Sequence, residues 1–289
     1  LTPEGGAIPG TMVAGYDSST VRVGPDGSVM LLTGVTTPGT GNPTGMAQIV
    51  ADELGVELEG IRVVQGDTTT CPYGFGNYSG RSTIVGGGAA AMAAREVREK
   101  IVTIGAALLE VDVATVSLLR GVLRSSAKPD KTLSLKEVAY AAYTRAYDVG
   151  LAITPPLEAT CTFRPGLIRH TPDEKGRINP YPSYSNAAYA VVCEVDRETG
   201  QVKLLQFAAA HDVPAIAMVH HDSPNPVTYM GLKGAGEAGV GGSAAAVVNA
   251  VNDALAPLNV SITDLPVTAP RIWQAIQSAA QPARKREVA

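Results

Sequence analysis

Alternating apolar and polar positions along the chain predict two β-hairpins. The predicted strands and turns are residues 19–23 and 29–33 around 24–28, and residues 187–195 and 202–209 around 196–200. Pro, Asp and Gly in these turns supply the backbone angles that tight reversals need. Because the two hairpins resemble each other, we expect two lobes that each open on a hairpin, one over residues 1–150 and one over residues 151–289.

Apolar residues spaced three and four positions apart predict the helices. In the first helix Met46, Ile49, Val50 and Leu54 form one apolar stripe. The other helices are predicted over residues 88–109, 134–147 and 244–255, with a last one around Ile272 and Ile276.

Candidate N-caps mark where three of these helices begin. They are Ser134, with Glu137 at capping-box spacing, then Ser243 and Thr268. A Pro-rich extended stretch over residues 151–185 is predicted to connect the lobes. The whole pattern predicts an α+β fold, with two lobes of short mixed β-sheets and packed helices.

Composition excludes several classes of protein. Apolar residues make up 45% of the chain and charged residues 17%, which is typical of a globular protein. The net charge is −4 and the basic residues are scattered, whereas nucleic-acid binding needs a clustered basic face. No apolar run approaches the roughly 20 residues that span a bilayer. We therefore expect no nucleic-acid partner and no membrane span.

The three cysteines are odd in number, far apart and without metal-ligand spacing. Together with the lack of a signal-peptide pattern, they favour a reducing cytoplasm. The chain opens at Leu1 without Met, which leaves a processed subunit, a fragment and the ordered remainder of a longer protein as alternatives.

Three glycine-rich loops each precede a predicted helix. The first loop covers residues 34–44, the second loop residues 74–83 and the third loop residues 231–239. Backbone N–H groups at a helix N-terminus bind anions, and glycine lets them face a phosphate. One such loop is more often an ordinary turn, but three together predict a site for an extended, phosphate-bearing cofactor.

Glu237 is the single carboxylate within the third loop. Small neighbours would let it meet a bulky ligand directly, whereas the plainer alternative is a surface Glu on a tight turn. The loop also matches G-x-G-x-x-G, a weak indication because no βαβ unit surrounds it. His220 and His221 lie in a polar segment without a partner at metal spacing, so we expect no metal ligand among the protein residues.

The order of three motifs resembles one family. They are Gly39-Thr-Gly41 before Met46, Gly76-Asn-Tyr-Ser-Gly-Arg-Ser-Thr83, and Lys233-Gly-Ala-Gly-Glu237. Together they resemble the large, molybdopterin-binding subunit of molybdenum hydroxylases of the xanthine oxidase, aldehyde oxidase and carbon monoxide dehydrogenase type. The sequence of the second motif is most similar to that of the bacterial carbon monoxide dehydrogenase and aldehyde dehydrogenase branch. The resemblance covers nearly the whole chain.

The resemblance implies a catalytic site and its cofactor. The cofactor would be Mo-molybdopterin in its cytosine dinucleotide form, with Glu237 as the catalytic base. The substrate, an aldehyde, an N-heteroaromatic compound or carbon monoxide, would be oxidised with water as the oxygen source and hydride transfer to molybdenum. Cofactor contacts would come from Gly39, Thr40, Gly41, Asn42, Tyr78, Ser79, Gly80, Ser82, Thr83, Lys233, Gly234, Ala235 and Gly236.

Partner chains are implied in the same way. The resemblance implies an iron–sulfur small subunit with 2Fe-2S centres and a medium subunit with FAD. This chain lacks cysteines at iron–sulfur spacing, which is consistent with electrons leaving through another polypeptide. The family's N-terminal half of the large subunit, with its Gly-Gly-Phe-Gly motif, would complete the site. A segment that relatives carry after Asp212 has no counterpart here, and Thr40 stands where the family usually has Gln.

Two alternatives stay open from the sequence. The chain could be a cofactor-binding module or fragment without turnover of its own, if the segments that the family carries elsewhere are truly absent. It could also be an unrelated enzyme that binds a nucleotide phosphate through its glycine loops.

Overall fold

The computed structural model describes residues 2–4, 15–147, 155–169, 171–211, 228–229, 234, 236 and 238–280. The chain divides into two compact units. The large unit is Pro3–Tyr184 with Asp222–Gly234, and the small unit is Leu1–Thr2, Ser185–His221 and Ala235–Ala289. The sequence predicted a division at residue 150, with the first two cofactor loops in the first lobe and the Glu237 loop in the second. That division stays a prediction.

In its described residues the large unit contains a four-stranded sheet, a three-stranded sheet and three helices of ten residues or more. Its strands are β2 (Asp17–Val23), β3 (Val29–Thr33), β4 (Ile61–Gln65), β5 (Val116–Leu119), β6 (Val122–Ser125), β7 (Thr132–Ser134) and β8 (Glu158–Phe163). Its helices are α1 (Asn42–Leu54), α2 (Gly87–Leu109) and α3 (Leu135–Thr144). Short strand β1 (Thr2–Glu4) pairs with β9 (Ser183–Ser185).

A mixed four-stranded sheet has the order β4-β3-β2-β8. Strand β2 pairs antiparallel with β3 and with β8, whereas β3 and β4 run parallel. The second sheet has the order β5-β6-β7 and is antiparallel. The predicted first hairpin is thus confirmed, with the register Ser19 to Thr33.

The Pro-rich stretch is more than a connection between lobes. Within it, β8 lies beside β2 and places Cys161 opposite Ser19. Residues 158–163 are extended, as expected, and Ala159 and Cys161 are buried in the core, whereas the connecting role of the whole stretch stays a prediction. Such long-range pairing leaves no local signal in the sequence.

Helix α2 packs against the sheet and fills the centre of the large unit. Its buried face includes Ala90, Ala94, Val97 and Ile101. A Cβ atom built on Gly88 would lie 2.5 Å from the Phe163 ring, so this glycine allows the helix to approach β8. Helix α3 begins at the predicted capping box, since Ser134 and Glu137 bond reciprocally, but it ends at Thr144 instead of Tyr147.

The small unit is a β-hairpin packed against helices. It contains β10 (Ala187–Val195), β11 (Val202–His211), α4 (Ala238–Gly241), α5 (Ser243–Leu255) and α6 (Ala269–Ala280). The second predicted hairpin is confirmed by the antiparallel pairing of β10 with β11. Val251, Leu255, Ile272 and Ile276 form its core.

The start of α5 differs from the prediction. Ser243 is the first helical residue and Gly242 is the N-cap, without a side-chain capping bond. A Cβ atom built on Gly242 would lie 2.7 Å from the Tyr189 ring, so close packing of the helix on β10 decides where α5 begins.

In the part of the chain that the structure describes, no helix has the length and apolarity needed to cross a membrane. The predicted α+β fold of short sheets and packed helices is confirmed.

Candidate functional site

The first loop leaves β3 and enters α1 through glycines in left-handed conformations. Gly39 has φ 105° and Gly41, the N-cap of α1, has φ 75°. A Cβ atom built on either glycine would meet nothing within 4 Å. Because both residues are exposed, a ligand can approach the backbone of this loop directly.

Side chains of the first loop hold its shape. Thr40 donates its hydroxyl to Asn42 Oδ1 at 3.0 Å, and the Asn42 amide donates to the Thr36 carbonyl at 3.0 Å. Thr40, the departure from the family's usual Gln, is exposed and bonded within its own loop. Its shorter side chain therefore reinforces the turn.

The second loop precedes a π-helical turn, Ser82–Gly86, that continues into α2. Gly80 and Ser82 are buried, Tyr78 and Ser79 are half-buried and Thr83 is exposed. The Ser82 hydroxyl donates to Asn77 Oδ1, so it supports the loop from within. Burial raises the pKa of the Tyr78 phenol, which therefore keeps its proton at neutral pH.

The first and second loops meet through their backbones. The Gly76 N–H donates to the Gly34 carbonyl at 3.2 Å. A Cβ atom on Gly34 would lie 2.5 Å from Gly74 Cα, and one on Gly76 would lie 3.0 Å from Thr36 Oγ1. Two predicted cofactor loops, 40 positions apart along the chain, thus form one surface.

A cavity of about 300 Å³ opens where these loops meet. Its walls include Gly34, Thr36, Asp67, Tyr73 and Gly76. The volume is at the lower end of the range for small-molecule sites. Two larger cavities, of about 530 and 440 Å³, are lined by residues outside the first and second loops and have no left-handed glycine among those residues, so we favour the smaller one.

Asp67 at this cavity is a residue that sequence reasoning missed. Its carboxylate accepts hydrogen bonds from the Thr69 N–H at 2.8 Å and the Thr70 hydroxyl at 2.9 Å. These bonds, led by the one from the Thr69 backbone, lower the pKa of Asp67 and keep it ionised. The sequence Asp-Thr-Thr-Thr is typical of an Asx turn and could have indicated that Asp67 holds this turn.

Only part of the third loop lies among the described residues. Gly234 is buried and Gly236 is exposed. Lys233, Ala235 and Glu237 lie outside the described residues, as do His220 and His221. The catalytic role of Glu237 therefore stays a prediction.

Residues 4–217 match the model of the family described as a molybdopterin cofactor-binding domain. This match covers well over half of the chain. The chain belongs to the molybdopterin cofactor-binding domain family. The resemblance found in the three sequence motifs is confirmed by this membership, and both the first and the second loop lie inside the matched residues.

This molybdopterin cofactor-binding domain has relatives among larger proteins. It is 29% identical to the carbon monoxide dehydrogenase large chain of Afipia carboxidovorans, covering 91% of this chain and 37% of the relative. It is 26% identical to the nicotine 6-hydroxylase large subunit of Paenarthrobacter nicotinovorans, covering 90% and 37%. Quinoline 2-oxidoreductase from Pseudomonas putida 86 has a similar solved structure, with a TM-score of 0.77 at 29% identity, covering 91% and 38%. The chain thus spans well under half the length of each.

The alignment with the carbon monoxide dehydrogenase large chain runs over 315 positions, more than the 289 residues of this chain. The relative therefore carries residues inside the matched span that have no counterpart here.

The described loops fit a molybdopterin cofactor. Gly39 and Gly41 leave space that a Cβ atom would fill, and the cavity beside Gly76 is large enough for part of such a group. Hydroxyl donors flank that cavity at Thr36 and Thr68. Backbone N–H groups and hydroxyls are the donors that pterin and phosphate oxygens need.

Proposed function

We propose that this chain is the C-terminal molybdopterin-binding portion of the large subunit of a molybdenum hydroxylase. The observation that carries the proposal is the joining of two glycine loops at Gly34 and Gly74, with a cavity at their junction. Family membership indicates the class of cofactor, and the first loop offers exposed backbone for it at Gly39 and Gly41.

The proposed cofactor contacts are the predicted ones. Residues 39–42, 78–80, 82 and 83 would hold the pterin and its phosphates, and residues 233–236 would lie beside the base. Buried Gly80 and Ser82 would act through the backbone and the shape of the loop, since the Ser82 hydroxyl already bonds Asn77. We propose the cytosine dinucleotide form of the cofactor.

In the proposed mechanism, the bound cofactor supplies a two-electron oxidation of the substrate with water as the oxygen source. Glu237 accepts a proton during this reaction, because a carboxylate is ionised at neutral pH and can act at hydrogen-bond distance. Gly234 and Gly236, its neighbours in the sequence, carry no side chain that would keep a substrate at a distance. Thr40 and Asn42 keep the first loop in the shape that presents its backbone.

For the substrate we propose an N-heteroaromatic compound or an aldehyde. Two relatives support the first class by their names, since nicotine and quinoline are N-heteroaromatic compounds. Carbon monoxide is the third candidate, because one relative is named for it. The upstream part of the large subunit would contribute the residues that select among them.

We propose three partners: the remaining N-terminal part of the large subunit, an iron–sulfur small subunit with 2Fe-2S centres, and an FAD medium subunit. The matched span covers only 37% of the carbon monoxide dehydrogenase large chain, which supports a missing upstream part. We propose that the residues of that relative without a counterpart here would follow Asp212.

The three cysteines are free thiols, which agrees with the proposed reducing cytoplasm.

Metal and pterin analysis of the purified complex tests this function. The complete large subunit is co-expressed with its partners, and molybdenum, pterin and released nucleotide are measured per large subunit. Stoichiometric molybdenum, a cytosine nucleotide and reduction of an electron acceptor by an N-heteroaromatic substrate are expected. Molybdenum without turnover of any of the three substrate classes would indicate a cofactor-binding module. Bound nucleotide without molybdenum or pterin would contradict the proposal and favour a nucleotide-phosphate enzyme.

A further inference from the structure

The carboxylate of Asp17 lies fully buried at the start of β2 in the large unit. Its Oδ1 accepts the Ser18 N–H at 2.9 Å, and the carboxylate also accepts the Phe75 N–H from the second loop. Its Oδ2 accepts from the Arg81 guanidinium at 2.7 Å. Residues of the second loop thus bond to one carboxylate from two directions.

The Arg81 guanidinium is also fully buried and bonds to two further residues, one in its own loop and one beside Asp17. It donates to the Gly76 carbonyl at 2.7 Å and to the Tyr16 carbonyl at 2.8 Å. It lies 5.8 Å from the centre of the Phe75 ring. The Nε atom of Arg81 has no hydrogen-bond partner among the described residues. The hydrogen bonds of the guanidinium therefore go to the second loop, at Gly76, and to the start of β2, at Tyr16 and Asp17.

Asp17 also contacts the first loop. A Cβ atom built on Gly34 would lie 2.6 Å from Asp17 Oδ1, and one on Gly74 would collide with the same oxygen. Gly34 and Gly74 are the first residues of the two loops, and both lie against this carboxylate. The Asp17–Arg81 pair is therefore the polar centre of the junction.

Burial makes this pair unusual among the ion pairs of the described residues. Both side chains are fully buried, whereas Arg95 and Glu53, which join α2 to α1, are 53% and 12% exposed. Removing two charges from water is costly, and a buried pair is weak evidence for stability. Its clearest physical effect is geometric, because a buried charge tolerates few positions of its partner.

We propose that Asp17 and Arg81 are positioning residues that hold the first and second loops in the relative position that binds the molybdopterin cofactor. This inference rests on the proposed function. Neither side chain touches the cofactor, since both are buried beneath the loops. They act through the Gly76 carbonyl, the Phe75 N–H and the close approach of Gly34 to Gly74.

Asp17→Asn in the complete complex is the first test. Asn keeps the shape and one carbonyl acceptor but loses the charge that anchors Arg81. We expect molybdenum and pterin per folded large subunit to fall at least about tenfold, the equivalent of about 1.4 kcal/mol of binding free energy. In the cofactor-free complex, hydrogen exchange of the Gly76 amide should rise. Glu53→Gln, the matched change in the other pair, should leave cofactor content and Gly76 exchange unchanged.

A second variant separates positioning from folding. Asp17→Asn combined with Arg81→Gln removes both charges, so no unpaired buried charge remains. We expect this protein to assemble with a melting temperature nearer the wild type than either single variant, while its cofactor content stays low. Arg81→Lys alone should keep only part of the wild-type cofactor content. An ammonium group cannot bond to Asp17, Gly76 and Tyr16 in the planar geometry of a guanidinium.

Two results would overturn the inference. One is full cofactor content with unchanged Gly76 exchange in folded Asp17→Asn. The other is a folded double variant that binds cofactor as the wild type does. A wild-type complex that carries no molybdenum or pterin would instead refute the proposed function, and Gly76 exchange in the cofactor-free variants would still test the positioning of the loops.

Discussion

A Cβ atom on Gly34 would lie 2.5 Å from the Cα atom of Gly74, closer than a side chain can be placed. The two loops that we assign to the cofactor therefore touch at their first residues, backbone against backbone. Only glycine at both positions permits this contact.

Gly74→Ala should separate the loops. Its Cβ atom would lie 2.8 Å from the Gly34 carbonyl carbon, so the loop must shift. We expect a loss of about 1–3 kcal/mol in the free energy of unfolding, the usual cost of overpacking, together with reduced cofactor content. Denaturant titration and molybdenum analysis measure both effects.

Gly45→Ala is the matched control for that change. Gly45 lies inside α1, and its built Cβ atom meets nothing within 4 Å. Alanine should stabilise the helix by about 0.5–1 kcal/mol without affecting the cofactor. Wild-type stability and cofactor content in Gly74→Ala would show that the junction is not tightly packed.

Glu237→Gln tests the predicted base. Glutamine keeps the size of the side chain but cannot accept the proton, so molybdenum should stay bound while turnover falls by at least about 100-fold. Steady-state kinetics and metal analysis of the same preparation are compared. Near-normal turnover in the variant would assign the proton transfer to another group.

The thiol of Cys161 should be unreactive in the folded protein. Burial, with a hydrogen bond to Glu96, raises the pKa of Cys161 to about 12. Because only the thiolate is nucleophilic, about one Cys161 thiol in a thousand is available at about pH 9. Iodoacetamide labelling read by mass spectrometry should modify Cys161 only after unfolding or as pH rises towards its pKa. Rapid labelling of Cys161 in the folded protein would contradict the burial of this strand.

Expressed alone, residues 1–289 should aggregate and carry no molybdenum. Val192, Leu204, Leu205 and Phe207 on the hairpin of the small unit are each about half exposed, and edge strands of this kind invite association. We expect Leu205→Lys to raise the monomer fraction in size-exclusion chromatography, whereas Lys203→Arg on the same strand should not. A soluble monomer with stoichiometric molybdopterin and turnover would refute the proposal of a partial site.

Local spacing in the sequence was sufficient for both hairpins, the stripe of α1 and the capping box of α3. These elements depend on contacts between residues near one another in the chain, such as Ser134 with Glu137, so their pattern is visible in a short window. Motif order was likewise sufficient for the family, because glycine and small polar residues recur where the cofactor loops require them.

Tertiary structure alone decided which loops meet and what holds them. Strand β8 joins β2 across more than 130 residues, and Arg81 reaches Asp17 across 64. Asp17 stands in the sequence as an ordinary strand residue, and nothing near it indicates a buried ion pair. The partners of a buried charge are selected by the path of the whole chain, because desolvation is offset only by groups that folding brings within hydrogen-bond distance.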